Sequence, residues 1–288
     1  ASSKKAEPVT LTFEYVSTYP ATITIGGSNY GQPADPSKAL VDAGDGVFVP
    51  WTSNTITLLG KRIRFRGDWR NSSGNFRDLF RETFSGGHNV TMSGGFDFDG
   101  APADNMFSST FNGCGNLTGS IPSGLFGNLS GAPATSMFNT TFRDCRNLTG
   151  SIPSGLFGNL SGAPATSMFY GTFIRCSKLT GSIPTGLFGN ISGAPAPSMF
   201  NATFNGCSNL TGSIPTGLFG NISGAPVSSM FYYTFGSCGN LTGKSALMPD
   251  GVTHLYDQFP TASGNQCAGC YFGATGLDDY DDIPVAWK

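Results

Sequence analysis

Five cysteines stand at a constant interval, Cys114, Cys145, Cys176, Cys207 and Cys238, and two more form a C-x-x-C pair, Cys267 and Cys270. Thiolates in regular array can hold a soft metal, but no His or carboxylate recurs beside this ladder. A buried thiol behaves as a small hydrophobe, so the ladder reads as core filling. The pair in NQCAGCY lacks the second pair that a zinc site needs and the βαβ context of a redox fold. A disulfide between Cys267 and Cys270, a bridge from one of them to Cys238, and free thiols all fit the sequence. With seven cysteines, at least one stays unpaired within the chain.

Nucleophilic catalysis needs a His or a matched carboxylate pair near a Ser or Cys. The chain has two histidines, His88 and His254, and neither lies in the repeated part. No catalytic residue, metal site or cofactor is assigned. Asp97, Asp99 and Asp104 in FDFDGAPAD offer oxygen ligands at short spacing, but the twelve-residue calcium loop with its closing Glu is missing. N-x-S/T sequons occur at Asn71, Asn89, Asn116, Asn128, Asn139, Asn147, Asn159, Asn190, Asn201, Asn209, Asn221 and Asn240, and duplication alone multiplies such a motif. Thr118, Thr149, Thr180, Thr211 and Thr242 would form a row, though an ice-binding face would want broader Thr ranks than this one, where Gly150 and Ser151 follow.

The elements that carry these residues come from a repeat. Leu117, Leu148, Leu179, Leu210 and Leu241 step by 31 residues, as do the ladder cysteines and Met106, Met137, Met168, Met199 and Met230. Self-similarity at fixed spacing marks a stack in which each unit covers its neighbour. Within one unit, Leu148, Gly150 and Ile152 alternate with polar residues before Pro153, predicting a short parallel strand. Leu156, Phe157 and Leu160 predict a brief helical turn, and SGAP breaks it. Pro164 then opens a predicted helix whose inward face is Met168, Phe169, Thr172, Phe173 and Cys176. Phe126, Phe157, Phe188 and Phe219 recur in register as core; Tyr170, Tyr232 and Tyr233 break register and are candidates for an exposed contact.

The order F-x-x-C-x-x-L-x-x-x-I-P, as in Phe142, Cys145, Leu148, Ile152 and Pro153, resembles the BspA-like (Treponema-type) leucine-rich repeat over roughly residues 76 to 283. The insert LFGNLSGAPATSMF departs from that family's shorter unit, so its horseshoe curvature does not carry over. The resemblance implies a repeat solenoid of the leucine-rich-repeat type, with one short parallel strand plus helical turns per repeat. It also implies an extracellular or cell-surface, non-enzymatic role.

Residues 1–75 read differently: VTLTFEYV, ATITI, VFVPW and ITLLGKRIRF alternate with period two, predicting a β-rich cap domain. Residues 76–288 are then the solenoid, with degenerate first and last repeats. VTLTFEYV fits equally a strand of its own domain or one donated to a neighbour's sheet.

Only 12% of residues are charged, about half the usual share, and the net charge is −2. Without a basic footprint, nucleic acid is not an expected partner, and no apolar run is long enough for membrane insertion. Lys61, Arg62, Arg64, Arg66, Arg70, Arg77 and Arg81 gather near the start; Asp278, Asp279, Asp281 and Asp282 gather near the finish. Oppositely charged ends of a neutral rod favour head-to-tail growth; the same charges could equally be solvated caps that prevent it. The sequence therefore predicts a self-assembling structural subunit whose partner is itself. The alternative is a monomeric adhesin binding a glycan or a host protein through one face.

Overall fold

The computed structural model describes residues 9–26 and 32–288. The first eight residues of the expected cap domain therefore lie outside the described part. The cap sheet contains β1 (Thr10–Tyr15), β3 (Ala39–Asp42), β4 (Val49–Pro50) and β6 (Arg62–Gly67), while β2 (Thr22–Thr24) and β5 (Thr55–Thr57) form a separate antiparallel pair. Alternation fixes the faces: Leu11, Phe13 and Tyr15 of β1 and Ile63 and Phe65 of β6 are buried. β1 is central, pairing antiparallel with β6 on one side (Phe13 opposite Ile63) and with β7 (Val90–Gly94) on the other (Phe13 opposite Met92). A strand with both edges filled inside its own chain is not available for donation, so the donated-strand reading fails. β7 in turn pairs in parallel with β9 (Leu117–Thr118), so one sheet, ordered β4-β3-β6-β1-β7-β9, runs across residue 75 into the repeats.

The repeats form a β-rich stack. The regular strands fall on NLSG, not on LTGSIP: β8 (Asp99–Gly100), β10 (Asn128–Gly131), β11 (Asn159–Gly162), β12 (Asn190–Gly193) and β14 (Asn221–Ile222) make a five-stranded parallel sheet. Leu160, predicted in a helical turn, is instead the inward residue of β11, flanked by exposed Asn159 and Ser161. Among the described residues the LTGS segments pair as strands only over β9 and over β13 (Gly212–Ser213) with β15 (Leu241–Thr242), with a bridge from Gly119 to Leu148. At the other rungs a single backbone bond joins them, as from the Thr180 and Thr211 N–H groups to the Gly150 and Gly181 carbonyls at 2.9 Å. Gly150 sits at φ 75° and its equivalents Gly119, Gly181, Gly212 and Gly243 at 70–75°, a left-handed turn at every rung that keeps the LTGS strands to two residues.

The predicted second helix is absent. Residues such as 105–114 form overlapping β-turns in which alternate N–H groups have two different destinations. Met106, Ser108, Thr110, Asn112 and Cys114 donate to the carbonyl three residues back, while Asn105, Phe107, Ser109, Phe111 and Gly113 donate to carbonyls of the next rung. Positive φ recurs every fourth residue, as at Asn105, Ser109 and Gly113, then Ser136, Thr140 and Asp144. Backbone bonds thus run along the stack, where a helix would have kept them within one rung. Among the described residues the only α-helix is α1 (Leu255–Gln258), near the far end.

Each turn ribbon lines the core with two rings per rung. Phe107, Phe138, Phe169 and Phe200 stack at centroid distances of 5.5, 5.5 and 5.7 Å, and Phe111, Phe142, Phe173 and Phe204 at 5.4, 5.5 and 5.8 Å. Phe126, Phe157, Phe188 and Phe219 add a third ladder from the opposite wall at 6.0–6.1 Å. Fully burying each ring is worth about 1.5–3 kcal/mol, so a rung gains most of its stability from neighbours rather than from itself.

Candidate functional site

The cysteine ladder is buried. Each thiol donates to a carbonyl of the preceding rung: Cys145 to Phe111 at 3.0 Å, Cys176 to Phe142 at 3.0 Å and Cys207 to Phe173 at 3.0 Å. Cys114 and Cys238 do the same at 2.9 and 3.1 Å. Burial pushes the Cys114 and Cys238 thiols up to about 12 and Cys145, Cys176 and Cys207 well above the ordinary range. These are poor nucleophiles and poor metal ligands, since both roles need the thiolate. Cys267 and Cys270 are also buried, and all seven cysteines are free. The Cys267 thiol donates to the Ala286 carbonyl at 3.3 Å, tying the chain end to the last rung.

The basic cluster is largely neutralised within the cap. Arg62 pairs with Glu14 at 3.0 Å, Arg70 with Asp68 at 2.7 Å, and Arg77 and Arg81 both reach Asp78 at 3.4 Å. Arg64 donates to Asp42, a carboxylate only 2% exposed. Burial alone would raise the Asp42 carboxyl, but N–H groups of Gly44 and Gly46 and the Arg64 guanidinium outweigh it and hold it below the usual range. Arg66 lies over the Phe48 ring at 4.0 Å. Of the seven, exposed Lys61 alone has neither a carboxylate nor a ring partner among the described residues. Residues 1–85 in fact contain ten Lys and Arg against eight Asp and Glu, so the cap's excess of positive charge is small.

At the far end, Asp278, Asp281 and Asp282 are exposed, whereas Asp279 is turned inward. Asp279 accepts the Ser245 N–H and hydroxyl, both at 2.8 Å, and lies 3.5 Å from His254 Nδ1, which is also 2.8 Å from the Ser245 hydroxyl. In a nucleophile triad the carboxylate and the hydroxyl engage opposite ring nitrogens. Here both meet Nδ1 and Ser245 is 1% exposed, so the cluster clamps the terminal segment to the last rung. The sequence signalled its members only as a lone His and an Asp run.

The last rung is closed by its own chain. Gly269 and Tyr271 donate to the carbonyls of Lys288 and Trp287, and Trp287 is buried. Tyr170, Tyr232 and Tyr233 are half-buried, and Tyr233 lies against Gly269, so these rings do not make an exposed platform. The Thr row is interrupted as well: Ser213, not Thr211, lies beside Thr242. Asp104 accepts the Thr135 N–H at 2.9 Å, a link between rungs.

Large exposed apolar side chains lie in the cap and at the far end. Val9, Val16, Tyr19, Val47, Val49 and Leu59 stand out on the cap, with Val49 on β4, the outermost strand of the sheet, and Val9 beside Gly124 and Asn128 of the first repeat; Val252, Phe272 and Val285 stand out at the far end. Between residues 60 and 251 no large apolar side chain is exposed among the described residues. Alternation in VFVPW pointed to a strand there, but not to its being an uncovered edge. Comparison with family models, curated proteins and solved structures gives no match to this chain.

Proposed function

We propose that this chain is an extracellular structural subunit that associates head to tail with copies of itself. The observation that supports it is that no large apolar side chain is exposed between residues 60 and 251 among the described residues, whereas such groups occur in the cap and at the far end. Lys61, the one cation of the seven left without a carboxylate or ring partner among the described residues, follows Leu59 closely in sequence in the cap, and Asp278, Asp281 and Asp282 accompany Val285 and Phe272 at the other end. Such ends attract while the Ser-, Thr-, Asn- and Gly-rich flanks do not repel. Because residues 285–288 cover the last rung, growth would join the N-terminal cap of one copy to this covered end of the next rather than extend the repeat ladder. The likeness of F-x-x-C-x-x-L-x-x-x-I-P to BspA-like repeats supports the surface location.

Negative-stain electron microscopy of the purified chain at low and high salt tests this reading. Filaments that shorten as salt rises, and that vanish in the variant carrying Asp278→Lys, Asp281→Lys and Asp282→Lys, are expected. Single short rods at every salt and protein concentration would overturn it and favour an adhesin instead.

A further inference from the structure

We infer that the outward row Asn128, Asn159, Asn190 and Asn221 is an acceptor face for N-linked glycans. These four sequons open β10, β11, β12 and β14, where the middle Leu or Ile points into the core and the Asn and Ser point out. All four asparagines are exposed, and their partner serines, Ser130, Ser161, Ser192 and Ser223, are exposed as well. Of the other repeated sequons, Asn116 and Asn139 are half-buried and Asn209 is exposed but lies outside the sheet. Asn147 and Asn240 donate their amides to the Gly115 and Ser208 carbonyls at 2.7 and 2.8 Å, and Asn201 is only 8% exposed inside the turn ribbon.

Space at the row suits a sugar. A depression of about 560 Å³ lies before Asn128 and Asn159, lined by Gly124, Gly127, Gly155 and Gly158, which project no side chains into it. The strands are staggered, so that Ser130, not Asn128, lies beside Asn159, and Ser161 beside Asn190. Successive asparagines are then diagonal neighbours, roughly 7–8 Å apart. Glycans here would also supply hydration that a chain with 12% charged residues otherwise lacks.

The reaction is a transfer from a lipid-pyrophosphate-linked oligosaccharide. The Asn amide nitrogen bonds to the anomeric carbon and loses a proton, the bond from that carbon to the pyrophosphate oxygen breaks, and the lipid pyrophosphate leaves. No oxidation or reduction occurs. The face does not depend on head-to-tail assembly, because the row lies on the flank.

The test is secretion of the full chain from a eukaryotic host, enzymatic glycan release in heavy-oxygen water, and site-resolved peptide mass spectrometry. Heavy-oxygen aspartate is expected at most of the four row positions and absent at Asn201. The variants Ser130→Ala, Ser161→Ala, Ser192→Ala and Ser223→Ala, exposed and remote from the core, should each remove the glycan from their own Asn alone. An unlabelled row, or label at Asn201 equal to that of the row, would overturn the inference.

Discussion

At the residue scale, the positions that look interchangeable in a small-residue repeat are hydrogen-bond donors to a backbone that needs them. The turn ribbon leaves Phe carbonyls with one accepting site filled by the turn and another facing the next rung. Thr141, Thr172 and Thr203 fill it at one Phe, through hydroxyls 2.8–3.0 Å from Phe107, Phe138 and Phe169, and the ladder cysteines fill it at the other. Core filling was legible from the sequence; the donor role was not, because it depends on which carbonyls face along the stack. Cys176→Ala should cost about 1–3 kcal/mol in urea unfolding, from the lost bond and the small void together. Cys176→Ser, which keeps a donor, should cost less; equal losses would mean the thiol acts by volume alone. The thiols also set a pH dependence. Their folded values lie above their unfolded ones, so their contribution is complete below about pH 9 and is lost as pH rises toward the folded values, about 12 for Cys114 and Cys238. Unfolding midpoints should therefore fall between pH 9 and 11, by up to about 1.4 kcal/mol per pH unit for each buried thiol. Native protein at pH 8 should resist alkylation at the ladder.

At the element scale, the reading of a helix failed for a physical reason that particular residues make plain. Met168, Phe169, Thr172, Phe173 and Cys176 recur at three and four, which fits a helix of period 3.6 and equally a ribbon of turns whose conformation repeats every four residues. Apolar spacing cannot separate them. What does separate them is the residue at each left-handed position, Ser167, Gly171 and Arg175 here and Asn105, Ser109 and Gly113 earlier, mostly small or polar and poor in helix propensity. The strand on NLSG was missed because four residues are too few for a period to register, and LTGS carried the clearer alternation. The glycines around that strand give a direct check. Gly155 and Gly158 both have positive φ, but a Cβ on Gly155 meets nothing, whereas one on Gly158 would lie 2.3 Å from the Leu129 carbonyl oxygen. Gly155→Ala should cost about 1–2 kcal/mol, the left-handed penalty alone. Gly158→Ala should cost distinctly more, because the β10–β11 pairing must open, and thermal unfolding of the two variants should rank them in that order.

At the scale of the whole molecule, the 31-residue period was legible in full, whereas the balance of charge was not. Counting Lys61 to Arg81 as a basic end overlooked Asp68 and Asp78, which sit within three residues of Arg70, Arg77 and Arg81, and missed Glu14 and Asp42, which only the antiparallel pairing of β1, β3 and β6 brings to Arg62 and Arg64. The stack itself behaves as a one-dimensional array, in which each rung's stability is its own term plus its two interfaces. Near-identical rungs make those interfaces interchangeable, so excising residues 148–178 joins Asn147 to Leu179 in register and carries Phe142 directly onto the equivalent of its old neighbour. That deletion should keep a cooperative transition and an unchanged circular-dichroism shape per residue, with a modestly lower midpoint. Removing residues 244–288 is a different perturbation, because it uncovers Phe231 and Phe235 and takes away the Gln266, Ala268, Cys270 and Phe272 carbonyls that accept from the ribbon at residues 229–238. Light scattering should then show association of exposed rungs. If the truncated chain stayed monomeric while the internal deletion unfolded, stability would reside in particular repeats rather than in their repetition, and the account of the stack as a sum of equal interfaces would be wrong.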